Sequence, residues 1–258
     1  MTGLASGVVW VSANDRHTCA VLSTGAAKCW GVNDSGQLGD NTMDSHAAPT
    51  DVVGLSGAAT ISVGHSHTCA RLTSGGAKCR GFNGNFGQVG DGTTVDPHLP
   101  TDVTGLANGV AEIVAGGQHS CARLTSGGVK CWGDNQFGQL GDGTNTMRKV
   151  PTDVVGLSSG VAAISAVEHY TCAQLTSGGV KCWGKNISGA VGDGTQANRN
   201  VPTDVTGLSG VVAIGAGRGH TCAALTGGGA SCWGINAAGQ LGDGTLTGSN
   251  VPSGVVGL

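Results

Sequence analysis

An all-β chain folded as a propeller of short blades is what three features of this 258-residue sequence predict. The first is a period. Cys19, Cys69, Cys121, Cys172 and Cys222 recur at steps of 50 to 52 residues, each followed ten positions later by a second cysteine. A fixed period of that size marks a repeat array, and about 50 residues is the size of one four-stranded blade. The second is punctuation: 49 glycines divide the chain into short apolar segments of strand length. The third is that no apolar pattern with a helical period runs for a useful length, so essentially no helix is expected.

One unit, Gly156 to Val205, shows the elements in order. The first strand is expected at Val161–Ser165, with relatives at Val110–Val114 and Val211–Gly215. Its small and β-branched residues suit an innermost strand, where sheets crowd a central axis. The second and third strands flank Thr-Ser-Gly-Gly, at Thr171–Leu175 and Val180–Trp183, and a fourth lies around Pro202–Val205. A single blade cannot bury both faces, but stacked blades cover one another. The unbroken repeat leaves no linker. One domain over residues 1–258 is expected, with repeats at about 3–53, 54–103, 105–154, 156–205 and 207–256. The chain opens on Gly3-Leu4 and closes on Gly257-Leu258, the same phase of the repeat.

The hairpin accounts for the cysteines. Cys121 and Cys131 lie equally far from Ser126, in a three-residue loop that places Gly127 in the left-handed position. That register sets the two cysteines opposite each other on one face, within reach of an S–S bond. Five disulfides within blades follow: Cys19–Cys29, Cys69–Cys79, Cys121–Cys131, Cys172–Cys182 and Cys222–Cys232. Each contributes about 2–3 kcal/mol by loop-closure entropy, and together they imply an oxidising, extracellular or cell-surface compartment. Zinc is the rival reading. The spacing is not the close C-x₂₋₄-C of structural zinc sites, and Tyr170 replaces the neighbouring histidine while both cysteines stay. No metal and no cofactor is expected.

A net charge of −3 and a pI near 6.2 argue against a nucleic-acid surface. No apolar run is long enough to cross a bilayer, and MTGLASGVVW lacks the basic and apolar regions of a signal peptide.

The run CWGxNxxGQLGDGT, at Cys29–Thr42 (with Asn41 for Gly), Cys131–Thr144 and Cys232–Thr245, resembles the regulator of chromosome condensation repeat. So does the preceding G-x-x-H-[ST]. The resemblance covers all five repeats. It implies a β-propeller, usually of seven blades, and the cysteine-containing pattern is similar to the extracellular bacterial branch of that family. Arg80 stands where the other units have Trp, and Pro252-Ser253-Gly254 replaces Pro-Thr-Asp in the last.

Motifs that recur in every unit read first as architecture. His17, His67, His119 and His220 could cluster as metal ligands or bases, and each could instead order a contact between blades, which recurrence favours. The Gly-Asp-Gly-Thr runs beginning at Gly90, Gly141, Gly192 and Gly242 read as turns, with calcium the lesser reading. Trp30, Trp132, Trp183 and Trp233 read as packing. No nucleophile elbow, phosphate loop or HExxH is present, so no enzyme and no catalytic residue is predicted.

Function is sought where the repeats differ: before the His, between WG and GQLG, and after GDGT. Loops on a rigid scaffold carry recognition. Phe86, Phe137, Arg148, Lys149 and Arg199 are the candidate binding residues for a protein partner. The expected function is therefore a secreted, non-catalytic protein-binding propeller, and family relatives that plug β-lactamase active sites show one form of it. The alternatives are nucleotide exchange on a small GTPase such as Ran, as the founding relative performs, and a structural fragment of a larger repeat protein. A monomer is expected, or a dimer if the ring is incomplete.

Overall fold

A computed structural model describes residues 4–257, and every regular element among them is a β-strand. Gly3, where the first repeat was expected to begin, and Leu258 lie outside the described residues. The strands form five four-stranded sheets, one per repeat, with strands adjacent in chain order. Blade 1 holds β1 Val8–Ala13, β2 His17–Leu22, β3 Ala27–Gly31 and β4 His46–Asp51. Blade 2 holds β5 Ala58–Val63, β6 His67–Leu72, β7 Ala77–Gly81 and β8 Thr101–Asp102. Blade 3 holds β9 Val110–Ala115, β10 His119–Leu124, β11 Val129–Gly133 and β12 Arg148–Asp153. Blade 4 holds β13 Val161–Val167, β14 Tyr170–Leu175, β15 Val180–Gly184 and β16 Arg199–Asp204. Blade 5 holds β17 Val211–Ala216, β18 His220–Leu225, β19 Ala230–Gly234 and β20 Ser249–Gly254.

The central hairpin is built as the glycine spacing requires. Leu22 N–H donates to the Ala26 carbonyl and Gly25 N–H to the Leu22 carbonyl, both at 2.8 Å. Gly25 has φ 81°, a conformation that glycine adopts without steric cost. This closure places Val21 opposite Ala27 and Cys19 opposite Cys29. All five cysteine pairs are bonded, with Cα atoms 4.1 Å apart, the close spacing of an antiparallel ladder.

Two boundaries differ from expectation. The first strands run one or two residues further, to Ala115, Val167 and Ala216. The fourth strand begins before the proline, because a register shift between Cys182 and Gly184 lets Gly184 pair with Arg199. In blade 2 only Thr101–Asp102 remains. Pro97 occupies the position at which Arg148 starts β12, and proline has no N–H for the ladder.

Two compact bodies make up the chain. The first comprises the described residues to Thr125 with Cys131–Asp134 and Met147–Thr152; the second comprises Ser126–Lys130, Asn135–Thr146 and the described residues from Asp153. In the first body, Cys19, Cys29 and Leu38 of blade 1 pack against Ala58, Ile61 and Val63 of blade 2. Cys69, Cys79 and Val89 pack in the same way against Val110, Ile113 and Trp132. In the second body, Cys172, Cys182 and Val191 meet Val211, Ala223 and Trp233. Each of these disulfides therefore floors the face that the next blade covers.

Candidate protein-binding surface

The recurring polar residues are consumed in holding blades together. His17 Nε2 lies 2.7 Å from Thr68 Oγ1, and that hydroxyl donates to the Gln37 carbonyl at 2.8 Å. Since the hydroxyl proton is already used, His17 must be the donor and is the neutral Nε2–H tautomer. His67 repeats the arrangement with Ser120, whose hydroxyl donates to the Gln88 carbonyl. Burial pushes both imidazoles down to about 3, assisted by the charge of Arg80 at His17 and by His119 at His67. Tyr170 fills the same role with a longer reach: its hydroxyl lies 2.5 Å from the His220 carbonyl and 3.1 Å from Thr221 Oγ1.

The indoles serve the same contact. Trp132, Trp183 and Trp233 each donate Nε1–H at 2.9 Å to a carbonyl of the preceding blade, those of Gln88, Gln139 and Ala190. Gly90, Gly141 and Gly192, the first glycines of three GDGT runs, cup these rings; a Cβ on Gly90 would lie 2.5 Å from Trp132 Nε1. The aspartate then closes a turn: Asp40 Oδ1 accepts from the Thr42 amide and hydroxyl and from Asn33 Nδ2. Asp193 and Asp243 are held alike. The buried asparagine of this clamp, the Asn of CWGxN, was visible in the motif but carried no role there.

Against this frame, the variable segments of consecutive blades come together. The loop between WG and GQLG in one blade lies against the start of the fourth strand in the next. A Cβ on Gly87 would come within 2.8 Å of Lys149 Cα, and one on Gly138 within 2.5 Å of Asn200 Cα. In the first body this sets the half-buried Phe86 beside exposed Lys149, with half-buried Arg148 adjacent. In the second body it sets Phe137 near Arg199. Arg199 is not a free cation, since its Nε donates to Asp193 Oδ2 at 2.6 Å and it also reaches Thr195 Oγ1. The aspartate is held below its ordinary value: burial raises it, and the Thr195 and Arg199 hydrogen bonds outweigh that.

Phe137 heads the denser cluster. The Phe137 and His169 rings meet edge to face with 5.1 Å between centroids, and Lys185 Nζ stands 5.1 Å over the Phe137 ring. Beside them a cavity of about 460 Å³ is lined by Glu168, His169, Lys185, Ile187, Arg218 and Ile235, among others. Glu168 has φ 39°, a strained backbone for a residue with a side chain, and its carboxylate accepts from Arg218 Nε at 2.7 Å. Ile187 is 70% exposed. His169, Lys185 and Ile187 were not among the candidate residues; their signal was that they fall at the positions where repeats differ.

Blades of this composition, clamped by His, Trp and GDGT contacts, define a propeller-repeat protein. Two models of the regulator of chromosome condensation (RCC1) repeat match, one at residues 27–71, 81–123, 126–174 and 177–224 and the other at 8–37, 110–139 and 211–240. The chain belongs to the RCC1 repeat family. It is 31% identical over 203 residues to the ultraviolet-B receptor UVR8 of Arabidopsis thaliana, covering 77% of this chain and 46% of that protein. The E3 ubiquitin-protein ligase HERC2 of Homo sapiens is also 31% identical over 203 residues, 77% of this chain and 4% of the ligase. The chain thus spans less than half of these relatives. Among solved structures, human WBSCR16 superposes with a TM-score of 0.87 at 22% identity, over 97% of this chain and 68% of that one. Yeast RCC1 (Prp20), solved with Kap60 bound, gives 0.82 at 23% identity, over 96% and 61%.

Proposed function

We propose that the chain is a secreted, non-catalytic protein-binding module that holds a protein partner with loops contributed by consecutive blades. The observation that carries this reading is the division of labour in the repeats. Residues common to all blades are spent on packing, while the residues that differ meet across blade boundaries as an aromatic and cationic surface around Phe137, Lys185 and Arg218. Aromatic and arginine side chains on a rigid frame suit a hot spot. The yeast relative's complex with a protein supports the same class of use, and five disulfides with no free cysteine among the described residues suit an oxidising compartment. The histidines and aspartates that could do chemistry are tied up in blade contacts and turns, which supports a binding role over a catalytic one.

The test is site-specific photocrosslinking from position 137 on the secreted, oxidised protein, followed by affinity measurement with the purified partner. Phe137→Ala and Lys185→Ala are each expected to weaken binding about tenfold or more without lowering Tm. The reading fails if both variants bind as the parent does while Ser177→Ala, at the far hairpin tip, abolishes binding.

A further inference from the structure

Within the second body, the loop after the third strand of one blade reaches the next blade at equivalent positions of the repeat. Between blades 3 and 4 these are Phe137, His169 and Lys185. The phenyl ring fills the space there, edge to face with the imidazole and 5.1 Å from Lys185 Nζ. Between blades 4 and 5 the same positions hold Ser188, Gly219 and Ile235. These meet as well: a Cβ on Gly219 would lie 3.4 Å from Ser188 Oγ and 3.3 Å from Ile235 Cδ1. A hydroxymethyl group and a hydrogen atom therefore stand where a phenyl and an imidazole stand one blade earlier. All of Ser188, Gly219 and Ile235 line the cavity of about 460 Å³.

The backbone keeps this cavity open. Gly219 has φ 82°, where a side chain would be strained, so an imidazole cannot take its place unless the turn moves. The preceding blade holds Glu168 at φ 39° in the matching turn, and its carboxylate ties down Arg218 at 2.7 Å. Backbone strain of this kind gathers at binding sites. The rim is apolar on one side, with Ile187 70% and Ile235 36% exposed. Its other contribution is a cation. Lys181 pairs with Asp204 at 2.7 Å, as the equivalent lysines of blades 1 to 3 pair with Asp51, Asp102 and Asp153. Lys185 has no carboxylate within ion-pair reach among the described residues, and it lines the cavity while standing over Phe137. One ammonium group thus joins the cavity to the aromatic surface.

We propose that this cavity seats an aromatic side chain of the protein partner, with a carboxylate of the same segment on Lys185. The inference rests on the protein-binding role proposed above and names the chemistry of what is bound. A ring suits the seat because the molecule places its own Phe137 at the equivalent position one blade earlier. An ammonium group without a carboxylate of its own selects an acidic segment over a basic one. Ile187 and Ile235 flank the ring with apolar surface. Arg218, already fixed by Glu168, loses little freedom when the segment covers it.

Titration of the oxidised full chain with acetyl-Glu-Phe-Asp-amide tests this, followed by NMR at the Gly219 amide and the Ile187 and Ile235 methyl groups. Saturable shifts at these positions are expected, and acetyl-Glu-Ala-Asp-amide and acetyl-Lys-Phe-Lys-amide should each bind at least about tenfold more weakly. Ser188→Phe fills the seat from within, as blade 3 does, and should weaken the aromatic acidic peptide about tenfold or more. Ile187→Glu, at a position exposed enough to leave folding intact, should weaken it severalfold by repelling the carboxylates. Lys185→Ala should bring it to the affinity of the neutral acetyl-Gln-Phe-Asn-amide, whose own binding stays unchanged. A peptide that shifts none of these resonances up to its solubility limit would overturn the inference. So would equal affinity for the peptide without a ring, or binding that both Ser188→Phe and Ile187→Glu retain. With the crosslinked partner the two readings separate. If Phe137→Ala weakens the partner and Ser188→Phe does not, the aromatic seat is wrong and the protein-binding surface stands. If neither variant weakens it, the surface reading falls too.

Discussion

Arg80 is the residue at which the blade contact departs most from its own pattern. It sits fully buried in an indole's seat, donating Nε–H to the Gln37 carbonyl at 3.1 Å, with a terminal nitrogen 3.1 Å from Cys29 Sγ. The other terminal nitrogen has no partner. Burial lowers the guanidinium, and the Asp40 carboxylate opposes that only in part. Replacing a buried charge with a well-packed apolar group is commonly neutral or stabilising by about 1–4 kcal/mol. Arg80→Trp should therefore raise Tm by several degrees in a scan, since the cup at Gly39 and the carbonyl at Gln37 are those that indoles use elsewhere. A lower Tm would mean that blade 2 has repacked around the cation. The buried histidines set the pH response. With His17 and His67 lowered to about 3 in the fold and near 6.5 when unfolded, the unfolded chain binds more protons between those values. Stability is thus complete above about pH 6.5 and falls as pH drops toward 3, by up to about 1.4 kcal/mol per pH unit for each histidine. Asp40 and Asp193, held below their ordinary values by hydrogen bonds that outweigh burial, add to the same acid loss. His67→Gln should flatten the denaturation midpoint plotted against pH; an unchanged slope would assign the acid sensitivity to the carboxylates.

At the scale of strands and hairpins, the sequence was legible wherever the information is local. The cysteine spacing and the left-handed glycine fix the hairpin register within about a dozen residues, and Cys172 opposite Cys182 follows directly. The fourth strand was less legible because its start depends on a bulge opposite Gly184, which no residue of the strand announces. The loop contacts were not legible at all: Gly138 meets Asn200 across two repeats, a proximity created only by stacking. Phe137 could be chosen as variable and aromatic, but its partners His169 and Lys185 belong to the following blade. The hairpin disulfides should differ in worth by position. Removing Cys172–Cys182 with paired alanines costs about 2–3 kcal/mol of loop-closure entropy plus a cavity beneath Val211 and Trp233. The same change at Cys222–Cys232 leaves less of a cavity, because Cys222 is only half-buried. Denaturant midpoints are expected to fall further for the first pair than the second; equal losses would mean that the disulfides act through the unfolded chain alone.

For the whole molecule, stability should follow the rule of repeat arrays, in which each unit is held by its neighbours and the ends are weakest. Blade 2 is covered on both faces in the first body, by blade 1 and by the first strand of blade 3. Blade 5 has only blade 4 against it in the second body, through Val211, Ala223 and Trp233. Blade 5 also lacks a hydroxyl that others use: Ser12, Ser62 and Ser165 each accept from an amide of the next blade, and Gly215 stands at that position. Local opening free energies track such coverage. Native-state hydrogen exchange in dilute protein should therefore show the amides of β17 and β18 exchanging at least tenfold faster than those of β13 and β14. Within the first body, β1 should exchange faster than β5 for the same reason. Protection that is uniform from blade to blade would show that the repeats unfold as one cooperative unit and that end coverage does not govern stability.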